Sequence, residues 1–170
     1  MLMFVVCHWV EGSFMNNVVC YAIFYGGLSQ FIAGNYELIK GNSFAGTAFC
    51  SYGAFWLAFA ILKVVVATAP ESFSADYKVG ETLFCVAWGF FTASFFVVTL
   101  RKNLALATVF GTLTITFFLL AGGVWSAATN LAAGYIGFIC GMSAIYTAFA
   151  ELWQEHLGFK MPGLQAIRYI

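Results

Sequence analysis

Charged residues are scarce in this sequence. Among 170 residues, seven are lysine or arginine and seven are aspartate or glutamate, so the formal net charge is zero. The absence of a basic run excludes the electrostatic footprint of a nucleic-acid-binding protein. With 62% hydrophobic residues, the chain has more apolar surface than a soluble domain of this length can bury. The composition predicts an integral membrane protein without a nucleic-acid partner.

The sequence also lacks the spacings that mark metal sites and catalytic sites. Its five cysteines stand singly in apolar segments, and its two histidines, His8 and His156, lie at opposite ends of the chain. Neither a zinc spacing, a disulfide framework, a Ser/His/Asp set nor a glycine-rich phosphate loop is recognisable. We expect no metal, no cofactor and no enzymatic activity, with a redox role for the two histidines as the alternative. The function classes that remain are the passage of a solute across the membrane, recognition and scaffolding.

Five apolar runs are long enough to cross a membrane. A helix needs about 20 residues to span the hydrocarbon core, and five segments meet this length: 17–38, 44–67, 82–100, 104–125 and 131–152. The apolar stretch 1–10 is too short to span and lacks the basic start of a signal peptide. We predict an all-α polytopic transmembrane helix bundle with five full transmembrane helices and an N-terminal apolar stub.

The basic residues predict the orientation of these helices. With five crossings, one side of the membrane receives Lys40, Arg101, Lys102, Lys160 and Arg168. The opposite side receives Lys78 and the interfacial Lys63, together with the acidic Asp76. Because cytoplasmic loops carry the excess of lysine and arginine, the first side should be cytoplasmic. The C-terminus is therefore expected inside the cell and Asp76 outside.

Four residues of the first span fall on one helical face. Gly27, Gln30, Gly34 and Glu37 are spaced at i, i+3, i+7 and i+10. An amide and a carboxylate are costly in hydrocarbon, so this face should point into the bundle or toward a solvated path. In the alternative interpretation, the glycines permit close helix contact and Gln30 bonds a neighbouring helix. Glu37 stands at the end of the span, where a carboxylate also meets water.

The last span carries a second stripe of small residues. Gly134, Gly137 and Gly141 recur at i, i+3 and i+7 and predict close packing against another helix, within the subunit or between subunits. Glu151 follows at the membrane exit. Glu37 and Glu151 are the candidates for exchanging protons with the cytoplasm, and their alternative role is that of solvated carboxylates at helix ends.

Three motifs resemble a known family. The first is Phe-Tyr-Gly-Gly at 24–27, followed by Gln30, Gly34 and Glu37. The second is Ser-Tyr-Gly-Ala-Phe-Trp at 51–56, and the third is Ile-Cys-Gly-Met-Ser-Ala-Ile-Tyr at 139–146. Together they resemble the acetate uptake transporter family, also called the succinate-acetate permeases.

The resemblance implies a function and an assembly. Members of that family form six-helix, channel-like bundles, assemble as homohexamers, and carry acetate or succinate with protons. It thus implies a plasma-membrane transporter of acetate and similar short-chain carboxylates, with lipid, the carboxylate anion and protons as partners. Members open their first helix with Asn-Pro-Ala-Pro-Leu-Gly-Leu, which this sequence lacks. We expect a single transmembrane domain over 1–170, in which 1–16 are a remnant of the first helix and 159–170 a cytoplasmic tail.

The resemblance also implies which residues form the path. Tyr52 and Leu113 match two residues of the family's pore constriction, whereas its phenylalanine on the first helix has no counterpart. Gln30, Phe24 and Tyr25 are expected along the substrate pathway. From the residues alone, a tyrosine in the middle of a span needs a hydrogen-bond partner, so Tyr52 faces either a path or a packed core. The alternative function is a non-transporting membrane scaffold or sensor derived from the family by loss of the first helix.

Overall fold

The computed structural model describes residues 1–73 and 76–167. Its α-helices are α1 (Leu2–Val6), α2 (Met15–Tyr21), α3 (Gln30–Ile39), α4 (Ser43–Thr68), α5 (Tyr77–Thr99), α6 (Leu104–Gly123) and α7 (Ala127–Leu157). Short 3-10 helices cover Gly12–Phe14 and Pro70–Ser72, and a π-helix covers Ala22–Ser29. The prediction of an all-α transmembrane bundle is confirmed. Arg168, which the orientation argument used, lies outside the described residues.

Four of the five predicted spans are single α-helices. Within the described part of the chain, α4, α5, α6 and α7 are long and apolar enough to cross a membrane. The first predicted span is also helical throughout, from Met15 to Ile39, but its middle part is the π-helix. The prediction of regular α-helical winding is therefore wrong for Ala22–Ser29. The pair Gly26 and Gly27, which lacks side chains, lowers the cost of leaving the α conformation there.

Side-chain caps fix where three of the long helices begin. The Oδ1 of Asn42 accepts from Ala45 N at 3.3 Å, and the Oδ1 of Asn103 accepts from Leu106 N at 2.8 Å. The Oγ of Ser126 likewise accepts from Thr129 N at the start of α7. These acceptors satisfy first-turn N–H groups that have no partner within the helix. At the other end of α7, Gly158 takes a left-handed conformation with φ of 71°, which stops the helix.

The chain divides into two compact units. The first contains Met1–Leu2 and Glu11–Asp76, and in it the helical run from Met15 to Ile39 packs as a hairpin against α4. The second contains Met3–Val10 and the chain from Tyr77 onward, and in it α6 packs against both α5 and α7. Stacked aromatic rings, such as Phe95 on Phe110 at 5.7 Å, join α5 to α6.

Buried threonines of the second unit are satisfied by their own helices. The hydroxyls of Thr92, Thr99, Thr116 and Thr147 each donate to a backbone carbonyl three or four residues earlier, over 2.6 to 2.8 Å. Such bonds let a hydroxyl lie in an apolar interior without a partner from another helix. These threonine hydroxyls therefore have a structural role within their own helices, and the four residues are poor candidates for lining a substrate path.

Candidate functional site

The predicted stripe of the first span faces α4. Gly27 and Gly34 are buried, Gln30 and Glu37 are half-buried, and the residues between Gln30 and Glu37 other than Gly34 are exposed. The amide of Gln30 has no hydrogen-bond partner in the described part of the chain. An unpaired amide at this depth is available to a polar group that enters from outside the chain.

The glycines of this stripe bring two backbones together. A Cβ built on Gly34 would lie 2.5 Å from the backbone nitrogen of Cys50, and one built on Gly53 would lie 2.7 Å from that of Phe31. Neither distance is possible for real atoms, so both positions require a residue without a side chain. We call this contact the hairpin seam; it is made by Gly27 and Gly34 on one side and Gly46 and Gly53 on the other.

Glu37 lies at the end of this hairpin with two partners of its own. Its Oε1 is 3.7 Å from the Lys40 ammonium, and its Oε2 accepts from Asn42 Nδ2 at 2.6 Å. These contacts tie the carboxylate into the turn between α3 and α4. The geometry favours the interpretation of Glu37 as a helix-end carboxylate that orders the turn, and its role in proton exchange stays a prediction.

A cavity of about 790 Å³ opens in the first unit beside the π-helix. Tyr21, Phe24 and Tyr25 line it from the helical run, and Trp56 lines it from α4. The side chains of Phe24 and Tyr25, both predicted on the substrate pathway, are 68% and 79% exposed. The structure thus places both residues at an open, largely apolar cavity and adds Trp56, which the sequence argument did not single out. The signal that could have identified Trp56 was its position in the middle of an apolar run.

The two residues of the predicted constriction lie in different units. Tyr52 is buried on α4, with 8% of its surface exposed, one turn before Trp56. Leu113 is half-buried on α6, in the second unit. Each side chain is described within its own unit, so their action as a common constriction stays a prediction.

The second glycine stripe packs against the N-terminal stub. A Cβ built on Gly134 would lie 2.6 Å from the sulfur of Cys7, and one built on Gly137 would meet the thioether of Met3. The Trp9 ring packs on Phe138 of the same helix face, with ring centres 5.1 Å apart. We call this contact the stub contact. The stub is therefore a packed element of the second unit.

Gly141 departs from this pattern. A Cβ built on it would meet no described atom within 4 Å, so within the chain the predicted packing stripe ends at Gly137. A contact of Gly141 with another subunit stays a prediction.

The segment after α7 is tied to the turn between α5 and α6. The carbonyl of Gly163 accepts from Ala105 N at 3.0 Å, and Ile167 N donates to the carbonyl of Lys102 at 3.0 Å. The hydroxyl of Tyr146 donates to the carbonyl of Pro162 at 2.8 Å. The sequence predicted a cytoplasmic tail over 159–170, and no pattern in it indicated these bonds. Their geometry places the described tail at the same end of the second unit as Lys102, as the predicted topology requires.

The last candidate, Glu151, lies near the end of α7. Its side chain is exposed and interacts electrostatically with Lys102 of the turn between α5 and α6. A carboxylate in this position can exchange protons with water or balance a neighbouring cation. Glu37 belongs to the first unit, and each carboxylate is described within its own unit.

These elements define a class of protein: a polytopic α-helical integral membrane protein whose helices pack through glycine seams and leave polar groups unpaired at membrane depth. The model of the GPR1/FUN34/yaaH family matches residues 1–165. The chain belongs to this family, and its sequence resemblance to the acetate uptake transporters is confirmed.

Named relatives agree with this assignment. The chain is 43% identical over 147 residues to the succinate-acetate/proton symporter SatP of Escherichia coli K12, covering 83% of this chain and 75% of that protein. It is 33% identical over 152 residues to acetate permease A of Emericella nidulans, covering 81% of this chain and 51% of the relative. The solved structure of the bacterial acetate channel SatP superposes with a TM-score of 0.88 at 35% identity, covering 96% of this chain and 90% of that one.

Proposed function

We propose that this protein transports acetate and similar short-chain carboxylates, including succinate, across the plasma membrane in a proton-coupled, channel-like manner. The observation that carries the proposal is the match to the bacterial acetate channel SatP over 96% of the chain with a TM-score of 0.88. At 35% identity, the likeness extends beyond the general arrangement of helices. The name of the Escherichia coli relative, a succinate-acetate/proton symporter, supports both the substrate class and the coupling.

The chemistry of the first unit suits an anion that must shed water. A carboxylate crossing a membrane needs hydrogen-bond donors in place of its hydration shell, or a proton that neutralises its charge. The unpaired amide of Gln30 can donate to it, and Tyr25 adds a hydroxyl beside the cavity. Glu37 and Glu151 are the carboxylates proposed for proton exchange at the cytoplasmic boundary.

Tyr52 and Leu113 are the residues proposed to narrow the path. If they form a hydrophobic constriction, replacing either by alanine widens the gap and admits larger carboxylates, since dewetting barriers fall as a gap grows. If Tyr52 is a core residue, as its burial also allows, Tyr52→Ala instead costs about 2 to 5 kcal/mol of stability through cavity formation. Selectivity would then stay unchanged.

Uptake into proteoliposomes tests the proposal. The purified chain should take up labelled acetate in a saturable manner, faster with an imposed inward proton gradient, and protein-free liposomes supply the control. Tyr52→Ala and Leu113→Ala should raise the ratio of succinate to acetate uptake. If the folded protein moves neither anion above the control, the proposal is wrong and the chain is a non-transporting scaffold or sensor.

The proposed orientation has its own test. We propose that the C-terminus and the turn at Lys102 are cytoplasmic and that Asp76 is outside, because of the bias in basic residues. In a variant without native cysteines, a thiol introduced as Asp76→Cys should react with an impermeant reagent added to intact cells. The matched variant Lys160→Cys should react only after the cells are opened. The reverse pattern would invert the topology.

The proposed assembly is a homohexamer. Its support is the membership in the family, together with the open face around Gly141, which no described atom of the chain covers. Native mass spectrometry of the detergent-solubilised protein should give six times the chain mass of 18.6 kDa. A monomer that still transports acetate would separate the function from the assembly.

A further inference from the structure

We propose that the cavity between the π-helix and α4 is a binding site for a short-chain monocarboxylate, held by the indole N–H of Trp56 and the hydroxyls of Tyr21 and Tyr25. The carboxylate oxygens would accept from these three donors, and the alkyl end would contact the apolar wall formed by residues such as Phe24. This inference rests on the proposed function, which it deepens by naming residues that would bind the carboxylate.

Trp56 lies at an unusual depth for a tryptophan of a membrane protein. Tryptophans of membrane proteins are enriched at the two interfaces, where the ring is buried and the N–H reaches water. Trp56 instead lies near the middle of α4, Ser43–Thr68. Its ring packs edge-on against Phe55 and Phe59 at 5.3 and 5.7 Å. These ring contacts cover the apolar part of the Trp56 side chain, but they provide no hydrogen-bond acceptor for its indole N–H.

The indole N–H has no acceptor in the described part of the chain. Indole nitrogen is a donor only, so nothing but an acceptor can satisfy it. An unpaired donor at mid-membrane depth is costly, because the hydrocarbon offers no hydrogen bonds. The partner must therefore come from outside the chain, and the cavity that Trp56 lines provides about 790 Å³ for it.

Tyr21 and Tyr25, on the facing helix, also present donors without partners to the cavity. Tyr25 lies in the central part of the helical run from Met15 to Ile39, and its side chain is strongly exposed at the cavity. Neither hydroxyl has a hydrogen-bond partner among the residues that the structure describes. Spaced at i and i+4, the two tyrosines lie on one side of the helix. Two neighbouring helices thus present three unpaired neutral donors to one space.

The π-helix is what brings these donors together. Gly26 lies within it, and a Cβ at that position would be 3.1 Å from the Trp56 ring. The missing side chain lets the indole lie against the helix backbone while its neighbours, Phe24 and Tyr25, project into the cavity. A π-helix in a membrane span departs from the regular winding, and such departures occur frequently at functional sites.

Neutral donors suit a transported anion. None of the side chains that line the cavity is charged, and the lining also includes Met1, whose α-amino group is a cation separate from the three proposed donors. A lysine or arginine would hold a carboxylate tightly, whereas conduction requires a site that binds well enough to be entered and weakly enough to be left. The volume lies within the usual range of ligand pockets, about 300 to 1,000 Å³. It therefore accommodates acetate with several water molecules, or a longer carboxylate with fewer.

Nuclear magnetic resonance of the indole N–H groups tests binding directly. The chain has five tryptophans, so a nanodisc sample labelled with nitrogen-15 gives five indole signals, and the one lost in Trp56→Phe belongs to Trp56. We expect sodium acetate to move this signal in a saturable manner. Sodium chloride at equal ionic strength should leave it in place, as should acetate for the signal of Trp153, which lies on α7.

Transport kinetics supply the second readout. Trp56→Phe keeps an aromatic ring but removes the donor together with part of the indole, and the KM for acetate should rise about tenfold or more, the loss of one hydrogen bond to a charged group. Tyr25→Phe should act in the same direction, and Trp153→Phe should leave KM unchanged. Tyr25→Phe preserves the ring, so its thermal stability should match that of the parent chain. Trp56→Phe leaves a smaller ring, so its thermal stability is measured beside its KM, and Trp153→Phe controls for the loss of ring volume.

The outcomes separate the site from the function. If the Trp56 signal ignores acetate while the parent chain takes up acetate, the site is wrong and the proposed function stands. If the signal responds to acetate but uptake is absent, the site stands and the proposed function fails. A response to ammonium chloride but not to sodium acetate would overturn the proposal in favour of an aromatic cage for cations. A response confined to decanoate would overturn it in favour of a groove for lipid chains.

Discussion

The hairpin seam and the stub contact follow one sequence pattern and differ in tightness. Both use glycines spaced three or seven residues apart. In the hairpin seam, the three atoms nearest to a Cβ built on Gly53 are backbone atoms, the closest being Phe31 N at 2.7 Å. In the stub contact, the three atoms nearest to a Cβ built on Gly137 are side-chain atoms, the closest being the Met3 sulfur. A stripe of small residues therefore predicts a close approach to another segment. The atoms opposite each glycine determine how much stability is lost when that glycine is replaced.

Replacing a glycine of the hairpin seam should have the largest effect. Gly53→Leu forces its side chain into the backbone of the facing helix, which cannot rotate away. We expect a loss of more than about 3 kcal/mol, at or beyond the upper end of overpacking costs, and a failure to fold in many molecules. Thermal unfolding in detergent, followed by size-exclusion chromatography, measures it.

The control for this experiment is Gly80→Leu. Gly80 also lies in a helix, but a Cβ there meets no described atom within 4 Å. Its replacement should leave the unfolding temperature within error of the parent. Equal losses for Gly53→Leu and Gly80→Leu would show that the seam geometry does not govern stability.

Replacing a glycine of the stub contact should have an intermediate effect. Gly137→Leu collides with the thioether of Met3, and an unbranched side chain of this kind can move aside. We expect a loss of about 1 to 3 kcal/mol, read from the same thermal unfolding. The double variant with Met3→Ala should recover part of the loss because the truncated side chain frees space. A loss as large as that of Gly53→Leu, without recovery, would mean that the two contacts are equally rigid.

Replacing Gly141 should have the smallest effect on the chain itself. No described atom lies within 4 Å of an added Cβ, and leucine has a higher helix propensity than glycine. We expect Gly141→Leu to change thermal stability by less than about 0.5 kcal/mol, as for other open surface positions. A smaller oligomer in native mass spectrometry, with the chain still folded, would show that this face contacts another copy. A clear loss of stability in the monomer would contradict the open geometry.

These contrasts show how far the sequence determines the fold and the site. The inward face of Gly27 and Gly34 was predicted from their spacing, and both glycines are buried in the structure although Gly27 lies in the π-helix. The end of the second stripe at Gly137 could not be predicted, since it depends on which residues of the folded chain lie opposite α7. The same holds for the tail, whose partners at Lys102 and Ala105 are distant in sequence.

The candidate site was less predictable than the fold. The motif at 24–27 pointed to Phe24 and Tyr25 through resemblance, and both line the cavity. A pattern read at 3.6 residues per turn cannot reveal a π-helix, so neither Ala22–Ser29 nor the approach of Trp56 to Gly26 was predictable from it. Whether a donor such as the Trp56 N–H is paired is a property of the packed chain, and no local pattern encodes it.

The bond between Ala105 N and the Gly163 carbonyl links the completion of a helix to the order of synthesis. Ala105 is in the first turn of α6, and the cap from Asn103 serves only Leu106. A chain is made from its N-terminus, so α6 enters the membrane long before its second acceptor exists. Until Gly163 is translated, the amide of Ala105 depends on water at the membrane surface. Residues translated well after α6 thus finish a helix that was inserted early, and a chain shortened before Gly163 would carry an unfinished α6.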